Sequence, residues 1–248
     1  MKKRFLLMML LVCLFLVGGC TKEEITNDDS VVVESKELTD KQIDDLMKVV
    51  NDLKYMDYYN KDIVPRKLTN QEALRISYEI LASEGRAQSG KLKFTDLESV
   101  ALNYLGFSLE PENLICDTHY NIQDSGGADI MVYDVDSGVY RTNNKHLGHT
   151  GGGLRTEVYN SYFDGNETNG TYTIVVKKIF SEVLGDAVYS DLDYYASYGD
   201  SAYKRNVLFS SNKVDDEAFS KYSDKLLNYT YKFNYKDGNY VLVDYKIG

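Results

Sequence analysis

The clearest structural pattern in the chain is the stretch Tyr229-Thr230-Tyr231-Lys232-Phe233-Asn234-Tyr235-Lys236-Asp237-Gly238-Asn239-Tyr240-Val241-Leu242-Val243-Asp244-Tyr245-Lys246-Ile247. Aromatic and polar residues alternate along its first half, which is the period of a strand with one buried face. Asp237-Gly238 is typical of the two-residue type I′ turn of a β-hairpin. The pattern therefore predicts a closing antiparallel hairpin. One face of its first strand should carry Tyr229, Tyr231, Phe233 and Tyr235, and one face of its second Val241, Val243, Tyr245 and Ile247.

Three upstream segments carry a helix start signal, in which a threonine precedes Gln or Glu by three residues and follows an apolar residue. They are Leu38-Thr39-Asp40-Lys41-Gln42, Leu68-Thr69-Asn70-Gln71-Glu72 and Phe94-Thr95-Asp96-Leu97-Glu98. Each predicts a capping box, and apolar residues at helical spacing follow each one. We expect the second helix to end near Gly85 and the third at Gly106, a residue type common just after a helix.

The period changes to that of strands from about residue 110. Residues 130–135 alternate and lead into a turn at 136–138, and residues 158–163 and 172–180 flank a polar, glycine-containing turn. We also expect a strand at 206–210 and a short helix within 215–227. The predicted fold class is α+β, with N-terminal capped helices followed by a mostly antiparallel β-sheet and a C-terminal hairpin. We expect one domain over 37–248, with a helical part (37–110) and a β-rich part (111–248).

The N-terminus has the three-part layout of a secretory signal. Basic residues 2–4 precede the apolar run Phe5–Val17, and Gly18 and Gly19 lead into Cys20. This arrangement resembles the signal peptide and lipobox of bacterial lipoproteins. The resemblance implies a signal peptide over 1–19, lipid on the thiol of Cys20, and a location outside the cytoplasm with lipid anchoring to the cell membrane. The alternative is a simple signal peptide with an incidental cysteine.

The polar segment 20–36 is predicted to be a flexible tether between the anchor and the domain. The closing hairpin resembles that of exported lipoprotein domains of cystatin-like or NTF2-like shape, although residues 37–248 resemble no single family.

Composition limits the classes of partner. Residues 1–19 contain three basic and no acidic residues, so 25 basic and 38 acidic residues remain, a formal net charge of −13. This charge argues against binding nucleic acid and against docking of the domain itself on anionic lipid. Beyond Cys13 in the signal and Cys20, only Cys116 remains, so an internal disulfide is not expected.

One constellation of residues has the chemistry of a metal site. All three histidines and the remaining cysteine fall in one window, as Cys116, His119, His146 and His149. Thiolate and imidazole are the ligands that zinc prefers, so four of them would form a structural site, and three histidines with water a catalytic one. The alternative interpretation is a buried cysteine and histidines in exposed glycine-rich loops. A Cys116–His119 nucleophile pair lacks an identifiable orienting residue.

A second group of residues suggests a calcium or sugar site. Acidic residues at 186, 191, 193 and 200 surround tyrosines at 194, 195 and 198. The alternative is a solvated acidic loop with tyrosine rings packed on a sheet.

No intact catalytic motif accompanies these features, so the leading hypothesis is a non-catalytic binding or interaction domain of the cell envelope. Its expected partners are the membrane, through the lipid on Cys20, and an envelope protein or polymer. The alternative function is a zinc-binding protein, structural or hydrolytic, that uses the four Cys and His residues. A third hypothesis is a spacer or scaffold in an envelope complex.

Overall fold

Two antiparallel sheets and four α-helices make up the part of the chain that the structure describes. The structure is a computed structural model, and the residues it describes are 35–59, 61–115, 130–142, 154–166, 169–181, 187–189, 207–210 and 215–248. They belong to one compact unit, Glu34–Gly248. Helices and antiparallel sheets together confirm the predicted α+β class.

Three of the helices lie in the first part of the chain. They are α1 (Asp40–Asp52), α2 (Asn70–Ser83) and α3 (Phe94–Val100), and α4 (Asp216–Tyr222) lies much later. The 3₁₀-helix Leu53–Tyr59 continues α1, and a π-helical turn over Ala101–Leu105 continues α3. Shorter 3₁₀ turns cover Pro65–Lys67, Arg86–Ser89 and Ser223–Lys225.

The first two predicted capping boxes are confirmed. Thr39 Oγ1 accepts a hydrogen bond from the Gln42 backbone N–H at 3.4 Å, and the Gln42 side chain accepts one from the Thr39 N–H at 2.9 Å. Thr69 and Glu72 form the same reciprocal pair, at 3.2 and 2.9 Å. Each box satisfies N–H groups that the first turn of a helix leaves without an internal partner.

The third predicted capping box is wrong. Helix α3 begins at Phe94 directly after a short strand, with Lys93 at the N-cap position and no side-chain cap. The Phe94 N–H donates instead to the Gly138 carbonyl at 3.1 Å, because the preceding strand pairs with the strand that follows Gly138. Thr95 therefore lies inside the first turn. The predicted end is confirmed, since Gly106 adopts the left-handed conformation (φ 60°) at which the helix stops.

The smaller sheet has the strand order β2 (Lys91–Lys93), β4 (Val139–Thr142), β3 (Met131–Asp134). The pairing of β3 with β4 confirms the predicted turn at 136–138.

The larger sheet is built around a long central strand. Its strands are β1 (Lys36–Glu37), β5 (Leu154–Asp164), β6 (Thr171–Ser181), β7 (Ala187–Tyr189), β8 (Val207–Ser210), β9 (Asn228–Lys236) and β10 (Asn239–Ile247). Strand β6 pairs with β5 on one side, and with β9 and then β7 on the other. Strand β1 pairs with the outer edge of β5, β8 pairs with β7, and β10 pairs with β9. All these pairings are antiparallel.

The closing hairpin forms in the predicted register. Lys236 pairs with Asn239, and positive φ angles at Asp237 (51°) and Gly238 (87°) are those of a type I′ turn. The face prediction for β10 is confirmed for Tyr245 and Ile247 and wrong for Val241 and Val243, because a β-bulge lies between Leu242 and Asp244. The extra residue interrupts the alternation.

The bulge decides which residues of β10 are buried. Leu242 lies opposite Phe233 and Tyr245 lies opposite Tyr231, and all four side chains are buried. Val241 and Val243 are therefore not members of the buried row that the strict alternation predicted.

One hydrophobic core joins the helices to both sheets. Leu46 and Leu53 from the first helical segment and Leu74 from α2 are fully buried together with Ile174 and Tyr231 of the large sheet. Within the described part of the chain, no helix has the length and apolar character needed to cross a membrane.

Candidate functional site

The site residues predicted from sequence lie outside the residues that the structure describes. This applies to the lipidation residue Cys20, to the four predicted zinc ligands Cys116, His119, His146 and His149, and to the acidic and tyrosine residues at 186–200. Among the described residues, no group of three or more His, Cys, Asp or Glu side chains is placed to hold a metal ion. Two other clusters of side chains within the described residues are candidates for function.

The first is a buried ionic cluster of Asp57, Lys178, Tyr231 and Tyr245. Asp57 lies on the 3₁₀-helix after α1, whereas Lys178, Tyr231 and Tyr245 lie on β6, β9 and β10. The cluster therefore connects the helical part of the chain to three strands of the large sheet.

Asp57 accepts hydrogen bonds at both carboxylate oxygens. Lys178 Nζ donates to Oδ2 at 2.5 Å, and the Tyr245 hydroxyl donates to Oδ1 at 2.7 Å. Lys178 Nζ also donates to the Tyr231 hydroxyl at 2.6 Å, and that hydroxyl lies 3.3 Å from Oδ1. The ammonium group lies 4.8 Å from the ring centre of Tyr229, within the range of a cation–π contact.

Burial changes the pKa values of this cluster. Removal from water lowers the pKa of Lys178, although the attraction of Asp57 opposes that change. Burial and the neighbouring Asp57 carboxylate raise the pKa values of Tyr231 and Tyr245 well above 10. The two phenols therefore stay protonated and can donate the hydrogen bonds that a buried carboxylate requires.

The buried ionic cluster has the geometry of a structural clamp. Asp57 and Lys178 are each 1% exposed at the side chain, so neither presents a reactive atom to solvent. A buried charge is tolerated only when it is paired and hydrogen-bonded, and here each charge has several polar partners. The cluster fixes where the helical part sits on the sheet.

The second candidate is an aromatic cluster, defined as Phe163, Tyr172, Tyr235 and Tyr240. The four residues lie on four neighbouring strands at the end of the large sheet that contains the closing turn. The ring centres of Phe163 and Tyr172 are 4.7 Å apart, those of Tyr172 and Tyr240 5.2 Å, and those of Tyr235 and Tyr240 4.9 Å. These distances are those of direct aromatic packing.

The aromatic cluster lies where the buried side chains on one face of the large sheet give way to exposed ones. Phe233 is fully buried, whereas Tyr235, two residues further along β9 on the same face, is 55% exposed. The other three rings are half-buried against the core. Gly170, in the turn before β6, lies directly against the Phe163 ring, where any side chain would overlap that ring.

The surroundings of Tyr240 in the aromatic cluster raise the pKa of its hydroxyl. Burial raises the pKa of Tyr240 to about 12, and Tyr172 and the Asp45 carboxylate of α1 add to the rise. Asp164, the residue after Phe163 on β5, points to the opposite face of the sheet, where it accepts a hydrogen bond from Ser35. The exposed part of the cluster thus presents ring faces and phenol hydroxyls.

Sequence reasoning missed both clusters, although one signal for the first was present. Lys178 occupies a core-facing position in the alternation Ile174, Val176, Lys178, Phe180, so a buried partner was required. The identity of that partner was not readable, because Asp57 is 121 residues away.

Compared with known proteins, the chain matches no family model, no curated protein sequence and no solved structure.

Proposed function

We propose that the protein is a lipid-anchored, non-catalytic binding domain of the cell envelope, and that the aromatic cluster is its binding surface for a neutral polysaccharide. The observation that carries the proposal is that the exposed ring of Tyr235 adjoins three half-buried rings of the aromatic cluster on four paired strands. The fold holds its rings in place, so a ligand would bind without first ordering them.

The lipid anchor in this proposal rests on the N-terminal sequence. A basic start, an apolar run and Gly18-Gly19-Cys20 together resemble a lipobox, and lipid on Cys20 would hold the domain at the membrane. Stable anchoring needs more than one acyl chain, and the modified cysteine of a lipoprotein carries more than one.

The ligand class follows from the chemistry of the exposed rings. Sugar rings have an apolar C–H face that stacks on an aromatic ring, and the phenol groups of Tyr235 and Tyr240 can hydrogen-bond to sugar hydroxyls. Asp45 contributes to the raised pKa of Tyr240, and the chain without residues 1–19 has a formal net charge of −13. Both features disfavour an anionic polymer.

Affinity electrophoresis of the chain in gels containing soluble glucan, xylan, glycol chitin or the anionic polymer polygalacturonate tests this proposal. We expect retardation by at least one neutral polymer, and a roughly tenfold weaker affinity for the Tyr235→Ala variant, because truncating a central aromatic residue removes a main contact. Tyr159→Ala is the matched control, since Tyr159 is an exposed tyrosine (63%) on β5 outside the cluster. Equal affinity of the Tyr235→Ala variant, or binding only to polygalacturonate, would overturn the assignment.

A zinc site is the second candidate, and it rests on the grouping of all three histidines and Cys116 within residues 116–149. Four such ligands have the composition of a structural zinc centre. Elemental analysis of the purified chain beside a His146→Ala/His149→Ala variant tests it. One zinc per parent chain that is lost in the variant supports the site, and a metal-free parent under reducing, chelator-free conditions rejects it.

A further inference from the structure

Strand β5 has an open edge next to a short paired segment. One side of β5 pairs with β6 from Leu154 to Asp164. On the other side β1 pairs only with Tyr162 and Phe163, so among the described strands none covers the edge from Leu154 to Val158. The pairing with β1 demonstrates that this edge accepts an antiparallel strand.

The open segment has side chains of different chemistry on its two faces. The register with β6 places Leu154 opposite Phe180 and Val158 opposite Val176, on the core-facing side. Leu154 and Val158 are nevertheless each 39% exposed, which leaves apolar surface beside the edge. Arg155 and Glu157 lie on the other face and form an ion pair with each other.

We infer that this edge pairs with the same edge of a second copy of the chain, antiparallel and centred on Thr156. In that register Leu154 lies opposite Val158 of the second copy, and Arg155 lies opposite Glu157 of the second copy. The segment Leu-Arg-Thr-Glu-Val is therefore self-complementary when two copies run antiparallel. The symmetry creates each contact twice, as in any two-fold interface.

Charge distinguishes this register from its neighbours. Centring the pair on residue 155 places Arg155 against its own copy, and centring it on residue 157 places Glu157 against its own copy. Like charges directly opposite each other on paired strands are destabilising. The bulge between Val158 and Asn160 interrupts the regular ladder and ends the pairing segment.

Arg155, one of the charged residues of this contact, is already held in place within one chain. Arg155 donates to Asp216 of α4 at 2.5 Å and lies over the ring of Phe219. The guanidinium therefore stays at the edge of β5 before a second copy arrives, which reduces the ordering needed for association.

Sedimentation equilibrium of the full chain in a density-matched detergent tests the inference with charge reversals. We expect the parent to dimerise and the Arg155→Glu and Glu157→Arg variants each to dimerise at least tenfold more weakly, because each places like charges opposite one another. An equimolar mixture of the two variants should recover the association of the parent. In the mixed dimer, the Arg155→Glu chain has acidic side chains at positions 155 and 157. It faces the Glu157→Arg chain, which has basic side chains at the same two positions.

The mixture separates pairing across the interface from damage within one chain, because both variants keep their intrachain defects when mixed. Arg141→Glu, a reversal of an exposed charge on β4, is the control and should dimerise as the parent does. A monomeric parent over the accessible concentration range, unchanged dimerisation of the two variants, or a mixture that stays monomeric would overturn the inference. Capture of a different protein by the edge without self-association would also overturn it.

Discussion

Lys178 Nζ lies 2.5 Å from Asp57 Oδ2, and both side chains are 1% exposed. This ion pair joins a strand at the centre of the large sheet to the segment that follows the first helix. Because two phenol hydroxyls complete its hydrogen bonding, the pair links four elements of the fold at one point. Its removal should therefore affect the stability of the whole unit rather than one local segment.

We expect Asp57→Ala to lower the free energy of unfolding by about 3–5 kcal/mol, because it leaves the Lys178 ammonium buried without its counter-charge. The double variant Asp57→Leu/Lys178→Met removes both charges and should lose less stability than the single variant. Urea denaturation of the parent and both variants at neutral pH measures these differences.

Asp45→Ala is the control for loss of a carboxylate, since Asp45 is only half-buried and pairs only with the exposed Lys48 on α1 among the ion pairs of the described residues. It should change stability by less than about 1 kcal/mol. A double variant that is less stable than Asp57→Ala would contradict the role assigned to the buried pair.

The buried tyrosines predict a loss of stability at alkaline pH. Burial raises the pKa values of Tyr78, Tyr140 and Tyr240 to about 12, and those of Tyr231 and Tyr245 are also raised. Above about pH 10 the unfolded chain releases these phenol protons while the folded chain retains them. Stability is therefore complete below about pH 10 and falls as the pH rises through the folded-state values.

One group acts in the opposite direction. The lowered pKa of Lys178 favours the folded state as the pH approaches 10.5, but it is one group against several tyrosines. Urea midpoints and phenolate absorbance between about pH 9 and pH 12 measure the net effect. A stability that rises steadily over that range would contradict the assignment.

Tyr78→Phe isolates one contribution to this pH dependence. The Tyr78 hydroxyl is buried and has no hydrogen-bond partner among the described residues. Its removal should leave stability near neutral pH unchanged or higher, because no hydrogen bond is lost, and the decline above about pH 10 should become shallower. An unchanged decline would show that Tyr78 ionises equally in both states.

The two kinds of helix start predict different effects of the same substitution. Thr69→Ala should lower stability by about 1 kcal/mol, because it removes the hydroxyl that caps α2. Thr95→Ala should be close to neutral, since α3 begins at Phe94 and uses no side-chain cap. Thermal or urea unfolding compares them, and equal losses would indicate that Thr95 also caps its helix.

Local sequence patterns identified most helices and hairpins because their signals lie within a few residues. Thr69 and Glu72 are three residues apart, and Asp237-Gly238 is one dipeptide, so both were readable. The start of α3 was missed because it depends on a hydrogen bond to Gly138, 44 positions after Phe94. A partner at that separation leaves no periodic signal.

The bulge in β10 and the two candidate clusters could not be predicted from the sequence, because each depends on contacts between strands. Val241 and Val243 are as apolar as Leu242, so composition does not decide which of them face the core. Only the pairing with β9 determines that the buried side chains are those of Leu242 and Tyr245. Tyr235 is 55% exposed whereas Phe233 on the same face is fully buried, a difference that the alternation along one strand does not encode.

The proposed lipid anchor is tested most directly by the mass of the N-terminal peptide of the protein purified from its native membranes. We expect a peptide that begins at Cys20 and carries the mass of a diacylglyceryl group on its thiol, and a Cys20→Ser variant that is neither lipidated nor membrane-bound. An unmodified Cys20, or a mature chain that retains residues 1–19, would contradict it.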